Sequence, residues 1–135
     1  MKYVWPQTRV IGVEPEDAAC LKLALERGRR AVLPEVGLFA DGCAVAQVGK
    51  ETFRVVRELV DEVITVSTDE MCAAIKDIFE DTRSIAEPAG ALSLAGLKLY
   101  AEREGIQGAD LLAIVSGANT NFDRLRSISE RTESG

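Results

Sequence analysis

Arg9-Val10-Ile11-Gly12-Val13-Glu14-Pro15-Glu16-Asp17 is the stretch on which the fold turns. Its β-branched first half reads as a strand. That strand ends abruptly where Pro15 suits a first helical turn and Glu14, Glu16 and Asp17 suit the positive end of a helix. Ala18, Leu21, Ala24 and Leu25 continue as an apolar stripe, and Gly28 with Arg29-Arg30 marks its stop. Strand then helix is the unit from which the rest is read.

Working outward, Leu33 to Val48 holds Pro34, Gly37 and Gly42 and reads as a long loop, with only Gly37-Leu38-Phe39-Ala40 ordered. Lys50 to Asp61 places Phe53, Val56, Leu59 and Val60 at helical spacing, and Val63-Ile64-Thr65-Val66 follows as a strand. Ser67-Thr68-Asp69-Glu70 matches a capping box, which favours a structural over a catalytic reading of Ser67. Met71, Ile75, Ile78 and Phe79 form the buried stripe of the helix it opens. Glu87-Pro88 starts another helix, apolar nearly all round from Ala89 to Tyr100, so central burial is expected, with Gly90 and Gly96 permitting close packing. Leu111-Leu112-Ala113-Ile114-Val115 reads as a strand covered on both faces, ended by Ser116-Gly117-Ala118-Asn119. Phe122, Leu125, Arg126 and Ile128 suggest a last helix, and Ser129 to Gly135 a polar linker. Strands alternating with helices imply α/β with a mainly parallel sheet.

The chain has 135 residues, 47% of them hydrophobic, enough for one domain with a real core. Its 16 Lys+Arg against 22 Asp+Glu leave a net charge of −6 with no basic block, which argues against nucleic acid as partner. There is no histidine, so Ser-His and Cys-His triads are excluded within the chain. Cys20, Cys43 and Cys72 form no C-x-x-C pair and read as reduced thiols. No stretch approaches the roughly 18 apolar residues of a membrane span, and the first residues lack a signal-peptide run. A cytoplasmic protein with no membrane partner is expected.

In parallel sheets ligands bind beyond the carboxyl ends of strands. Ser116-Gly117-Ala118-Asn119 is the most informative such segment, leaving a hydroxyl and an amide at a crevice, although an ordinary turn has the same composition. Glu14 and Glu87 each precede a proline at a helix start, where a carboxylate is stabilised without any catalytic role. Val48-Gly49-Lys50-Glu51 fails as a P-loop, because Ala44 and Glu51 stand where a glycine and a Ser or Thr are needed. Nucleotide binding survives only as a distant alternative, through Glu14 as a ribose-binding carboxylate.

Taken in order, Trp5 to Asp17, Gly37 to Gly42, Lys76-Asp77-Ile78-Phe79-Glu80-Asp81, Glu87-Pro88-Ala89-Gly90-Ala91 and Ser116 to Phe122 resemble the biosynthetic threonine dehydratases, β-family pyridoxal-phosphate enzymes. Leu125 to Arg131 resembles the junction between that family's catalytic and regulatory domains. The resemblance implies a fragment of the fold type II, tryptophan synthase β-like architecture, a three-layer αβα domain. Residues 1–128 would be part of the catalytic domain and 129–135 the start of a linker to a regulatory domain. It also implies conversion of L-threonine to 2-oxobutanoate and ammonia, with pyridoxal 5'-phosphate as electron sink. Ser116 would hydrogen-bond the cofactor's pyridine nitrogen, and a neutral hydroxyl there suits β-elimination. Glu87, Gly42 and Asn119 fall in segments that lie near the cofactor in similar enzymes.

The family's Schiff-base lysine motif, its substrate loop and its phosphate-binding glycines belong upstream of the matched region. Lys2, Lys22, Lys50, Lys76 and Lys98 all lie outside such a motif, so no catalytic residue is assigned. A chain inactive alone is expected, one that associates with the lysine-bearing portion or with itself. Related enzymes hold a divalent cation at positions matching Glu14, Ala18 and Cys20. A thiol suits a hard cation poorly, so no metal is expected. The competing readings are a noncatalytic α/β interaction module and a serine/threonine dehydratase relative.

Overall fold

Two strands and five helices organise the computed structural model, which describes residues 1–133. β1 (Ile11–Pro15) and β2 (Glu62–Val66) pair in parallel, with Ile11 opposite Glu62 and Val13 opposite Ile64. Successive strand residues face opposite sides, and Val63 and Ile64 are both buried, so the sheet is covered on each face. The α/β class with a parallel sheet is as the alternating pattern implied.

A 3-10 turn over Glu16–Ala18 leads into α1 (Cys20–Glu26), which ends before Gly28 at a φ of +64°. The Glu14 carboxylate accepts from the backbone N–H groups of Leu21 and Lys22, both at 2.8 Å, and so satisfies the first turn of α1. The loop from Leu33 to Val48 contains one 3-10 turn, Asp41–Cys43. α2 (Lys50–Leu59) buries Phe53 but leaves Leu59 exposed, so its stripe is only partly covered.

α3 (Thr68–Thr82) begins with the capping box its sequence spells. Ser67 Oγ accepts from Glu70 N at 3.2 Å, and the Glu70 carboxylate accepts from Ser67 N at 2.6 Å. Met71, Ile75 and Ile78 are buried as expected. Phe79 is not: it lies 43% exposed beneath the Arg83 guanidinium. α4 (Pro88–Arg103) packs against α3 and both strands, with Ala91, Leu92 and Ala95 in a core shared with Val66, Met71 and Ile75.

Both glycines of α4 serve close approach. A Cβ on Gly96 would lie 2.3 Å from a Val13 methyl, and one on Gly90 would lie 2.1 Å from the Gly117 carbonyl oxygen. α5 (Arg124–Glu133) returns to α3, burying Ile128 and pairing Arg131 with Asp69 at 2.8 Å.

The structure departs from the sequence reading again towards the end of the chain. Leu111 to Val115 forms no strand and joins no ladder among the described residues, and Leu112 and Ile114 are 75% and 69% exposed. The run has the composition of a buried strand without a neighbour to bond it. Ser129 to Glu133, expected as linker, is helical, because Ile128 anchors the turn and Arg131 has an acidic partner on α3. Ser134 and Gly135 lie outside the described residues.

Candidate functional site

A cavity of about 410 Å³ opens against β1 along Ile11 and Val13. Ile11, Val13 and Leu92 form its apolar wall; Gly42, Glu87 and Ser116 reach it from three separate segments. The resemblance had selected those three from positions up to 74 residues apart, and tertiary packing brings them to one place.

The main chain explains the convergence. Glu87 caps α4 with its backbone only; its N–H donates to the Gly117 carbonyl at 3.1 Å, and its side chain makes no capping bond. The carboxylate instead leans over Gly117, where a Cβ would come within 2.0 Å of Oε1. A Cβ on Gly42 would lie 3.0 Å from that of Ala89 and 3.6 Å from the same Oε1. The helix-start reading of Glu87 therefore holds for its backbone, while its carboxylate is directed to the cavity.

Ser93 and Cys43 also line the cavity, and sequence reading passed over both. Ser93 Oγ donates to the Ile114 carbonyl at 2.7 Å, pinning the segment that carries Ser116 to α4. Its spacing from Gly90 on the same helical face was the available signal. The Cys43 thiol is pushed above its usual range, first by burial and then by Glu14, Asp17 and Asp41, so it stays protonated at neutral pH. Burial, and then Glu14, raise Cys20 likewise. All three cysteines are free.

Asn119 stands apart, exposed and outside the cavity lining. Among the described residues no lysine lines the cavity. Lys2 pairs with Asp61 at 2.6 Å, Lys98 pairs with Asp77, and Lys22 approaches Thr65 Oγ1 at 3.5 Å. The arrangement thus offers one face of a ligand site: a hydroxyl, a carboxylate and two glycine-lined approaches against an apolar wall.

The pyridoxal-phosphate dependent enzyme family matches residues 1–117. The chain belongs to that family. Over all 135 residues it is 58% identical to the biosynthetic L-threonine dehydratase of Burkholderia multivorans, of which it covers 27%. It is 55% identical to that of Escherichia coli K12, of which it covers 26%. Among solved structures, the processed threonine deaminase isoform 2 of Solanum lycopersicum superposes with a TM-score of 0.95 at 43% identity. That match covers 96% of this chain and 38% of the other. A maize serine racemase superposes at 0.81 with 30% identity, over 96% of this chain and 41% of its own. This family member therefore spans about a quarter of the length of the threonine dehydratases it matches. The fold type II architecture is common to these neighbours.

The residues present fit one side of the family's cofactor. Ser116 offers a neutral hydroxyl at the cavity rim, and Gly42 and Gly117 leave space that a Cβ would fill. The amine and phosphate cradle are outside the lining seen here.

Proposed function

We propose that this chain supplies the pyridine-nitrogen side of the active site of a threonine dehydratase, which converts L-threonine to 2-oxobutanoate and ammonia. The observation that carries the reading is the meeting of Gly42, Glu87 and Ser116 at one cavity beside β1, in a chain 58% identical to a protein named for that reaction. When bound, pyridoxal phosphate supplies an electron sink for elimination at the substrate's β-carbon. Ser116 would hold the ring nitrogen through its hydroxyl, and Glu87, standing over Gly117, would fix the segment that presents it. Gly42 would leave room for the ring's edge, and Ile11, Val13 and Leu92 would exclude water from its face. Asn119 lies in the same segment and would join the site only after that segment moves inward.

The described lining holds no amine, the group that would anchor the cofactor covalently and then remove the α-proton. The chain alone would therefore be inactive. Its three free thiols suit a reducing compartment, and the cytoplasm is the proposed location. The same lining suits a serine/threonine dehydratase relative, and threonine is preferred on the names of its relatives.

The test is an assay of 2-oxobutanoate from threonine, with the chain alone and with the lysine-bearing portion of the Burkholderia multivorans relative co-expressed. Activity only in the second case, falling at least tenfold with Ser116→Ala, is the expected result. Turnover by the chain alone would overturn the assignment, as would a Ser116→Ala variant of undiminished rate.

A further inference from the structure

The 3-10 turn Asp41–Cys43 carries Gly42 to the cavity, and its own backbone does little to hold it there. A turn this short closes few internal bonds. The Cys43 N–H donates to the Ala40 carbonyl at 3.0 Å, and the Ala44 N–H donates to the Asp41 carbonyl at 3.3 Å. The carbonyl of Phe39, the residue before Ala40, takes a donor from far along the chain. Arg124, the first residue of α5 and 85 positions away, donates to it from Nη2 at 2.6 Å.

The same guanidinium lies over the Phe39 ring, 5.4 Å from its centre, and its Nη1 faces the Asp41 carboxylate at 3.4 Å. A planar fork of donors can stack and bond at once, which an ammonium cannot. The three contacts are unequal. The pair with Asp41 is long and that carboxylate is 69% exposed, so it contributes little. The bond to Phe39 is charge-assisted and reaches a half-buried acceptor, which loses that donor if the guanidinium is removed.

Arg124 is itself well placed to carry this load. Ile128 seats α5 in the core, and Arg131 pairs with Asp69 on α3. The chain that enters α5 is the segment that carries Ser116, and it is closed onto the helix start by the Arg124 N–H, which donates to the Asn121 carbonyl at 3.0 Å. On its other flank the turn packs against the start of α4, where Ala89 and Glu87 bound the space at Gly42. Gly42 and Ser116 therefore line one cavity from two segments that meet again at the Arg124 side chain.

We propose that Arg124 is a positioning residue for the cofactor site: by holding the Phe39 carbonyl and ring, it ties the Gly42 turn to the Ser116 segment and keeps the space between them open to a flat pyridine ring. The proposal rests on the functional reading above. Arg124 lies outside the cavity lining and acts through the main chain of the turn. A site is as well placed as the groups that lock its own residues.

The experiment compares the unaltered chain with Arg124→Ala, Arg124→Lys and Asp41→Asn. Amide hydrogen exchange is measured on each chain alone. Affinity for pyridoxal phosphate, followed by the cofactor's absorbance, is measured on each chain co-expressed with the portion of the Burkholderia multivorans threonine dehydratase that precedes the matched region. With Arg124→Ala, exchange at Cys43 and Ala44 should quicken by about tenfold or more while Met71 and Ile75 on α3 keep their rates. The dissociation constant for pyridoxal phosphate should rise by about fivefold or more. Arg124→Lys keeps the charge and one donor and should recover part of both effects, whereas Asp41→Asn should change each by less than about twofold. Unchanged exchange at Cys43 and Ala44, or quickening spread equally over α3, would overturn the proposal. So would an unchanged cofactor affinity in a complex whose turn has loosened, since the arginine would then serve the fold alone. No uptake of cofactor by the complex of the unaltered chain would overturn the functional reading, and with it the site that Arg124 positions.

Discussion

The helical core around α3 and the strandless run from Leu111 to Val115 are built from similarly apolar sequence, and they meet opposite fates. Met71 and Cys72 on α3 are fully buried, whereas Leu112 and Ile114 stand 75% and 69% exposed. A helix satisfies its own backbone and needs a neighbour only for its side chains, which α4 and α5 supply to α3. An extended segment must find partners for its peptide groups as well. Hydrophobicity is thus a demand for burial, and whether the demand is met depends on what lies alongside.

The largest way to test this contrast is truncation on both sides of it. Met71→Ala removes a side chain with 0% exposure and should cost about 2 to 5 kcal/mol in denaturant unfolding. Leu112→Ala in the same chain should cost about 0.5 kcal/mol or less. Comparable losses from the two would break the comparison, since they would mean that Leu112 is already buried in solution.

A second substitution probes the seam between the regions. Gly90→Ala places a methyl where the Gly117 carbonyl oxygen lies 2.1 Å away, and backbone cannot yield as a side chain does. A loss of about 1 to 3 kcal/mol is expected on thermal unfolding, with faster amide exchange at Glu87, whose N–H donates to that carbonyl. An unchanged melting temperature would show that the Ser116 segment is held less closely to α4 than described.

Capping isolates the helical side alone. Ser67→Ala removes the acceptor for Glu70 N and should cost about 1 kcal/mol, read as a shift in the denaturant midpoint at unchanged slope. No shift would mean that the Glu70 carboxylate alone organises the turn.

The smallest effect is electrostatic and lies at the start of β2. The Arg103 guanidinium, bound through two nitrogens at 2.6 and 2.8 Å, holds the Glu62 carboxyl below its ordinary value of 4.5. A carboxyl depressed in the folded state stabilises above its unfolded pKa, and that contribution is lost as pH falls from about 4.5 through the lower folded value. Glu62→Gln should therefore flatten the acid limb of the stability curve by roughly 0.5 kcal/mol or less, the scale of an exposed pair. A larger change would make this pair part of the core's stability rather than a surface contact.

Local chemistry made several elements readable in advance. Ser67 and Glu70 spell their capping box within four residues, Gly28 stops α1 through its positive φ, and the stripe of Met71, Ile75 and Ile78 is set by helical period alone. Phe79 has the same spacing and stays exposed, since a period says which residues share a face but not where the neighbouring helix ends. For the site, the order of motifs pointed to Gly42, Glu87 and Ser116, yet neither Ser93 nor Cys43 belongs to a motif.

By itself, then, the sequence determined the elements whose signals close within a turn or two of chain, and, through the order of its segments, the enzyme family. Only the tertiary structure decided that Glu87 turns its carboxylate from helix cap to cavity, that Asn119 stays outside while Ser93 pins Ile114, and that the apolar run before Ser116 lies unpaired beside an open edge of β1. The reason is the range of the forces involved. Caps and helical stripes depend on neighbours a few residues away, whereas a strand acquires its hydrogen bonds, and a cavity its walls, from segments that only the folded chain brings together.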